Sequence, residues 1–111
     1  MKAVTKFSYI VVDGIGYFEP EDKMTYDEAI KWCKIRGLRL LTRGEWSELW
    51  DTKEEFRKSC QDVIYWTASV YPNLGYVWGF FGDDGGVYYY SRDCSTTIRA
   101  VLAESDGPHN Y

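Results

Sequence analysis

Two copies of one helix-start signal constrain the fold of this chain more than any other feature of its sequence. Thr25 and Glu28 in "TYDE", and Thr42 and Glu45 in "TRGE", have the spacing of a capping box. In a capping box each side chain accepts a hydrogen bond from the backbone amide of the other residue. The two signals predict two helices, and Gly37 is expected to close the first because glycine is frequent just past a helix end.

Apolar residues after each signal indicate which helix face points inward. Trp46, Leu49 and Trp50 stand at positions i, i+3 and i+4, so they share one face that is expected to pack inward. The predicted apolar stripe of the first helix consists of Ala29, Ile30, Trp32 and Cys33. The segment "GLRLLTRGEWSELW" is therefore interpreted as a joint between a short extended connector and the second helix. The pattern leaves open whether that helix stops near Asp51 or continues through "KEEFRK".

Strand-like patterns flank this helical middle. "FSYIVV" at residues 7–12, followed by Asp13-Gly14 and an extended piece with Tyr17 and Phe18, predicts an opening hairpin or bent strand. From residue 63 onward, "VIYWTAS", "GYVWGFF", "VYYYS" and "TTIRAVLA" are separated by turn-rich pieces and predict a meander of antiparallel strands. The chain is predicted to be a single α+β domain over residues 1–111, with a loose tail at about 104–111.

The order of these elements and several short strings resemble the C-type-lectin-like fold. "GLRLLTRGEWSEL" is similar to the "RLPT..EW" segment of the formylglycine-generating sulfatase-modifying family. "YWTASVY", "YVWGFF" and "IRAVLA" are similar to strings of related bacterial lectin-like domains found in adhesins. The resemblance covers about residues 7–103 and implies two helices packed on antiparallel sheets, with the N- and C-terminal strands paired.

Departures from the family pattern limit what the resemblance implies. Ala100 stands where related domains have the cysteine of "VRCVR", so the disulfide that they draw from the first helix cannot form from Cys33 in that way. Cys94 alone does not match the catalytic cysteine pair of the formylglycine-generating enzymes, so their activity is not carried over. Reduced Cys33, Cys60 and Cys94 are expected, although a disulfide between two of them stays open.

Charge and hydropathy narrow the classes of partner and compartment. The net charge of −4 disfavours attraction to phosphate backbones, so no direct nucleic-acid binding is expected and a charged partner should be basic. No apolar run reaches membrane-spanning length, and the N-terminus lacks the features of a secretory signal. The sequence therefore predicts a cytoplasmic protein without membrane association, in the host cytoplasm if the chain is phage-encoded.

Catalytic and metal-binding patterns are incomplete. The only histidine is His109 in the polar tail, and no cysteine has a recognisable nucleophile context, so neither an enzyme activity nor a cofactor is predicted. "YPN" at residues 71–73 stands where a lectin-like loop carries its calcium motif, and Asp83 and Asp84 could add oxygens. A tyrosine replaces the first ligand of that motif, so no metal site is predicted, and a carbohydrate-binding domain is kept as an alternative.

Aromatic residues give the preferred functional hypothesis. The chain has ten Tyr, five Trp and five Phe, more than a small core easily hides, and strand alternation puts aromatic side chains on both sides of the hairpin. Tyr-rich surfaces make good recognition sites. The chain is expected to be a recognition module for another protein, of the small phage-type regulatory or inhibitory kind. The predicted partner-binding residues are Tyr71, Asn73, Tyr76, Trp78, Asp83, Asp84, Tyr88 and Tyr90.

Acidic residues give the alternative hypothesis. A stripe along the second helix could imitate nucleic-acid phosphates and inhibit a DNA- or RNA-binding protein, although a solvated helix face has the same pattern. The residues of this predicted acidic face are Glu45, Glu48, Asp51, Glu54 and Glu55.

Overall fold

The computed structural model describes residues 6–70, 72 and 75–103 of the chain. Within these ranges it contains three helices, α1 (Tyr26–Ile35), α2 (Arg43–Thr52) and α3 (Glu54–Ser59). Five strands are β1 (Phe7–Val12), β2 (Ile15–Pro20), β3 (Leu38–Leu40), β4 (Ile64–Val70) and β5 (Tyr76–Phe81). The remaining three are β6 (Val87–Ser91), β7 (Thr97–Ile98) and β8 (Ala100–Leu102). None of the described helices is long and apolar enough to cross a membrane.

The strands form two four-stranded sheets. The first has the order β1-β2-β8-β3, and the second has the order β6-β5-β4-β7. The N-terminal hairpin reaches the C-terminal strand through β2, with Tyr17 opposite Val101 and Phe18 opposite Ala100. The predicted α+β class and the predicted pairing of N- and C-terminal strands are therefore confirmed. The tail at residues 104–111, including His109, lies outside the described residues.

The last predicted strand is wrong in one respect, because "TTIRAVLA" forms two strands in different sheets. β7 pairs with β4 in parallel, with Tyr65 opposite Thr97, whereas β8 pairs with β2 and β3 in the first sheet. The predicted meander is thus not antiparallel throughout. Arg99 stands at the crossing point between β7 and β8, and its side chain is buried.

Both capping boxes form as predicted. The Glu28 amide donates to Thr25 Oγ1 at 3.3 Å and the Thr25 amide donates to Glu28 Oε1 at 2.9 Å. In the second box the Glu45 amide donates to Thr42 Oγ1 at 3.1 Å and the Thr42 amide donates to Glu45 Oε1 at 2.9 Å. Two orphan amides at each helix start are thereby satisfied.

The resemblance implied two helices, but the structure adds a third. α2 ends at Thr52, and Lys53 takes an extended conformation before α3 begins, so the helix does not continue through "KEEFRK". Arg57 in α3 donates to the Trp50 carbonyl at 2.6 Å. This bond occupies one of the carbonyls that the end of α2 leaves without a helical partner.

The core of the described residues has two clusters: the first includes Trp32, Leu40, Trp66 and Ile98, and the second includes Tyr17, Trp46, Phe56 and Phe80. Trp46 is fully buried in the second cluster, where its ring stacks on Phe80 with centroids 4.7 Å apart. Leu49 and Trp50 pack against the same cluster, so the predicted inward face of α2 is confirmed. In α1 the residues Ala29, Trp32 and Cys33 are buried as predicted. The assignment of Ile30 to this stripe is wrong, because Ile30 is 38% exposed. Ala29, Trp32 and Cys33, at positions i, i+3 and i+4, occupy the inner face, and Ile30 lies beside it.

A buried ion pair joins the two sheets. Arg99 donates to Glu19 Oε1 through Nη2 at 2.6 Å and through Nε at 3.1 Å, and both side chains are almost completely buried. The Arg99 guanidinium also donates to the Ser59 hydroxyl at 2.9 Å and lies 4.9 Å from the Phe56 ring centroid. Charged groups are tolerated in an interior only when they are paired and hydrogen-bonded in this way.

Substitution of Arg99 by methionine tests this pair. Arg99→Met leaves the Glu19 carboxylate buried without a cation, so the free energy of unfolding should fall by about 3–5 kcal/mol. Urea unfolding measures the loss, and Lys58→Met, which breaks the exposed Glu54–Lys58 pair, is the control that should change little. Equal losses in the two variants would contradict a special role for Arg99, whereas partial recovery in Glu19→Leu with Arg99→Met would support it.

Candidate functional site

The β5–β6 hairpin divides its aromatic side chains between two faces. Trp78 stands opposite Tyr89, while Val77 stands opposite Tyr90 and Gly79 opposite Tyr88. Cross-strand partners share a face, and neighbours along a strand point to opposite faces. Trp78 and Tyr89 therefore lie on one face of the sheet, and Tyr88 and Tyr90 lie on the other.

The first of these faces carries an exposed aromatic cluster, which we call the aromatic face and define as Tyr76, Trp78, Tyr89 and Arg43. The Tyr89 ring is edge-on to Tyr76 with centroids 5.6 Å apart, and edge-on to Trp78 at 6.1 Å. The Arg43 guanidinium stacks 4.7 Å above the Trp78 ring. Tyr76 and Tyr89 are 39% and 53% exposed, so their rings are accessible although they pack on one another. Such contacts hold aromatic side chains in defined orientations.

The opposite face is organised around a carboxylate. Asp84 accepts a hydrogen bond from the Gly86 amide at 2.7 Å and one from the Tyr88 hydroxyl at 3.3 Å. The nearby Asp84 charge raises the pKa of the Tyr88 hydroxyl, with burial and the hydrogen bond acting in the same direction. Tyr90 is half-buried against the first core cluster. The side chains on this side therefore interact more with the turn and the core than those of the aromatic face do.

The predicted partner-binding residues do not form one surface. The structure brings Tyr76 and Trp78 together, but it places Tyr88 and Tyr90 on the other side of the sheet. Asp83 is exposed in the turn after β5, and the predicted positions Tyr71 and Asn73 lie outside the described residues. The sequence interpretation omitted Tyr89 and Arg43. The register between β5 and β6 would have revealed Tyr89, but the turn-rich "GDDGG" does not fix that register.

The residues of the predicted acidic face are spread over α2 and α3. Glu45 is held by Arg39 through two bonds of 2.8 Å. Burial acts to raise its pKa, but the hydrogen bonds from Arg39 and the Thr42 amide prevail and lower it. Glu54 pairs with Lys58 at 3.0 Å. The exposed members Glu48, Asp51 and Glu55 remain as acidic groups directed to solvent.

A cleft of about 510 Å³ lies beside α2 and the turn between β1 and β2. Its walls include Tyr17, Arg39, Glu45 and Lys53. The cleft has the size of a small-ligand site, but Arg39 and Glu45 bind each other and Lys53 binds Asp13, so these three charges are already neutralised within the chain.

Two of the three cysteines, Cys33 and Cys60, lie where burial keeps the thiol protonated. All three are free thiols, and Cys33 is buried, Cys60 half-buried and Cys94 exposed. Burial raises the pKa of Cys33 from 9.0 to about 12 and that of Cys60 to about 11, so both stay protonated at neutral pH. A cysteine nucleophile needs the thiolate. Within the described ranges, no three His, Cys, Asp or Glu side chains lie close enough to hold a metal ion.

No protein-family model matches the sequence, and a search of the curated proteins finds no significant match. The function is therefore inferred from the chemistry of the site itself.

The raised thiol pKa values predict alkaline destabilisation. The unfolded chain releases thiol protons above pH 9, whereas the folded chain retains the Cys60 proton until about pH 11. The contribution of this thiol to the free energy of unfolding is therefore fully present below pH 9 and decreases as the pH rises toward 11. Chemical unfolding from pH 7 to 11 should show a shallower decline in Cys60→Ala than in the wild type. Cys94→Ala is the control, and an equally shallow decline in this exposed-thiol variant would contradict the assignment.

Proposed function

We propose that this protein is a non-catalytic recognition module that binds another protein through the aromatic face. The observation that carries the proposal is the ring cluster beside the Arg43 cation, in which the exposed Tyr89 packs on the exposed Tyr76 and on the half-buried Trp78. Tyr, Trp and Arg are the residue types that most often dominate binding energy at protein interfaces. We also propose a cytoplasmic location, which the three free thiols support because reducing compartments keep cysteines unpaired.

A C-type-lectin-like architecture is part of this proposal. Three features support it: the N-terminal hairpin and β8 share one sheet, α1 and α2 follow that hairpin, and the middle of the chain builds a second sheet. This fold serves as a scaffold for several unrelated activities, so the architecture alone does not select a function. The choice of protein recognition rests on the side chains of β5 and β6.

The energetics of the aromatic face suit recognition. The rings of Tyr76 and Tyr89 already contact each other, so binding a partner immobilises few additional rotamers. Each ring combines a large apolar surface with a hydroxyl that can form a hydrogen bond at the rim of an interface. Arg43 adds a positive charge to this surface, and its guanidinium is already held over the Trp78 ring.

Removal of two exposed rings tests the aromatic face. Tyr76→Ala with Tyr89→Ala should weaken binding of the partner by at least about 30-fold, the loss of a single aromatic hot spot of about 2 kcal/mol, and by about 1,000-fold if each ring contributes that much. Folding should be unaffected, since both rings are substantially exposed. The measurement is pull-down of the tagged protein from a lysate of its source organism, followed by titration with the identified partner.

The control is Tyr88→Ala, which removes a comparably exposed tyrosine from the opposite face of the same strand. Its affinity should stay within about threefold of the wild type, as expected for a residue outside the binding site. Loss of binding in this variant alone would move the site to the Asp84 side of the sheet. Unchanged binding in both variants would exclude the hairpin.

Salt dependence separates the aromatic face from the acidic hypothesis. Recognition through rings and one arginine should weaken by less than about fivefold between 0.1 and 0.3 M salt, because the contacts are mainly apolar. Charge reversal in Glu48→Lys with Glu55→Lys should leave the affinity nearly unchanged. A steep loss of affinity in salt together with loss of binding in this variant would instead establish the acidic mimic.

A further inference from the structure

β1 forms an edge of the first sheet, and its hydrogen-bonding pattern follows from the hairpin. Asp13 and Gly14 both have positive φ, at 54° and 80°, which is the geometry of a two-residue turn. The Lys6 carbonyl accepts from the Glu21 amide at 2.8 Å, so the backbone groups of even-numbered residues in this strand point toward β2. In an antiparallel pair the direction of these groups alternates along the strand. The backbone groups of Phe7, Tyr9 and Val11 therefore point away from the sheet.

The side chains at these three positions are also exposed and share one face. Phe7, Tyr9 and Val11 are 47%, 61% and 54% exposed. Tyr9 stacks on Phe18 with centroids 5.6 Å apart, and Phe7 is edge-on to Phe18 at 5.9 Å. The edge thus offers outward backbone groups and an ordered apolar surface at the same residues.

The described residues of β1 carry none of the sequence devices that usually prevent edge-to-edge pairing. Its sequence "FSYIVV" has no charged residue and no proline, and its register with β2 is continuous. Natural edge strands are generally protected by charges, prolines or bulges. Charges occur only at the two ends, with Lys6 before the strand and Asp13 after it.

We propose that β1 pairs with β1 of a second copy of this chain, antiparallel about a two-fold axis through Tyr9. Such an axis, perpendicular to the sheet, keeps corresponding faces on the same side. It sets Tyr9 opposite Tyr9 of the second copy, and Phe7 opposite Val11. Each of these residues donates and accepts one backbone hydrogen bond, and every cross-strand pair on this face is apolar. An axis through Ile10 would instead set Phe7 opposite Asp13 and lose an apolar pair.

The strand ends place no like charges opposite each other, because Lys6 would face Val12 of the second copy and Asp13 is already paired with Lys53 of its own chain. The exposed apolar area of three side chains is a few hundred Å² per copy, below the roughly 800 Å² per partner of stable interfaces. A weak dimer in concentration-dependent exchange with the monomer is therefore expected.

Sedimentation velocity of the whole chain over a series of concentrations tests the dimer. The wild type should shift from monomer to dimer, and Tyr9→Lys should raise the dissociation constant at least about tenfold by placing two lysines opposite each other. Ile15→Lys is the matched control, because it replaces another exposed apolar residue of the same hairpin on β2, away from the edge. This control should dimerise like the wild type.

Amide hydrogen exchange tests the register. The Phe7, Tyr9 and Val11 amides should exchange fast in dilute protein and more slowly as the concentration rises. A monomer at every concentration would overturn the proposal, as would undiminished dimerisation of Tyr9→Lys or concentration-independent protection of these amides. The Tyr76→Ala with Tyr89→Ala variant should still dimerise, so failure of this proposal and failure of the aromatic face are distinguishable.

Discussion

The buried ion pair between Glu19 and Arg99 is the interaction on which the arrangement of the two sheets depends. Glu19 belongs to β2 in the first sheet, and its carboxylate also accepts hydrogen bonds from Gln61 and from the Tyr65 hydroxyl in β4. Arg99 stands where the chain leaves the second sheet for the first. Because a buried charge requires its partners, other packings of the two sheets would leave Glu19 or Arg99 unsatisfied. The pair therefore contributes to the choice of one arrangement.

This constraint extends to the surface. Tyr65 carries the network into β4, and β4 pairs with β5, which presents Tyr76 and Trp78. On the helical side, Trp46 contacts Phe80 of β5, so α2 and β5 are held together by the same core cluster. Arg43 begins α2 and lies over Trp78, which means that the aromatic face spans two elements fixed by one core. The proposed recognition surface is therefore ordered before it meets a partner.

Local signals in the sequence predicted the local structure well. The capping boxes of Thr25 and Thr42 specify both helix starts, because all the interacting groups lie within one helical turn. The separation of α2 from α3 was not predictable, since the Arg57–Trp50 bond that accompanies it becomes clear only from the structure. Arg99 looked like a residue within a strand, and its inward orientation depends on Glu19, far away in sequence. Tyr89 was missed for a similar reason, because cross-strand register decides which tyrosines share a face.

The aromatic face and the β1 edge belong to different sheets, so the two proposals are compatible. A β1-linked dimer would carry two copies of the aromatic face, and it would bind a multivalent partner more tightly without any new contact. Oxidative footprinting of tyrosine and tryptophan side chains, with and without the captured partner, tests the central claim most directly. The account predicts protection of Tyr76, Trp78 and Tyr89 with little change at Tyr88. Protection that spares these three residues would contradict it.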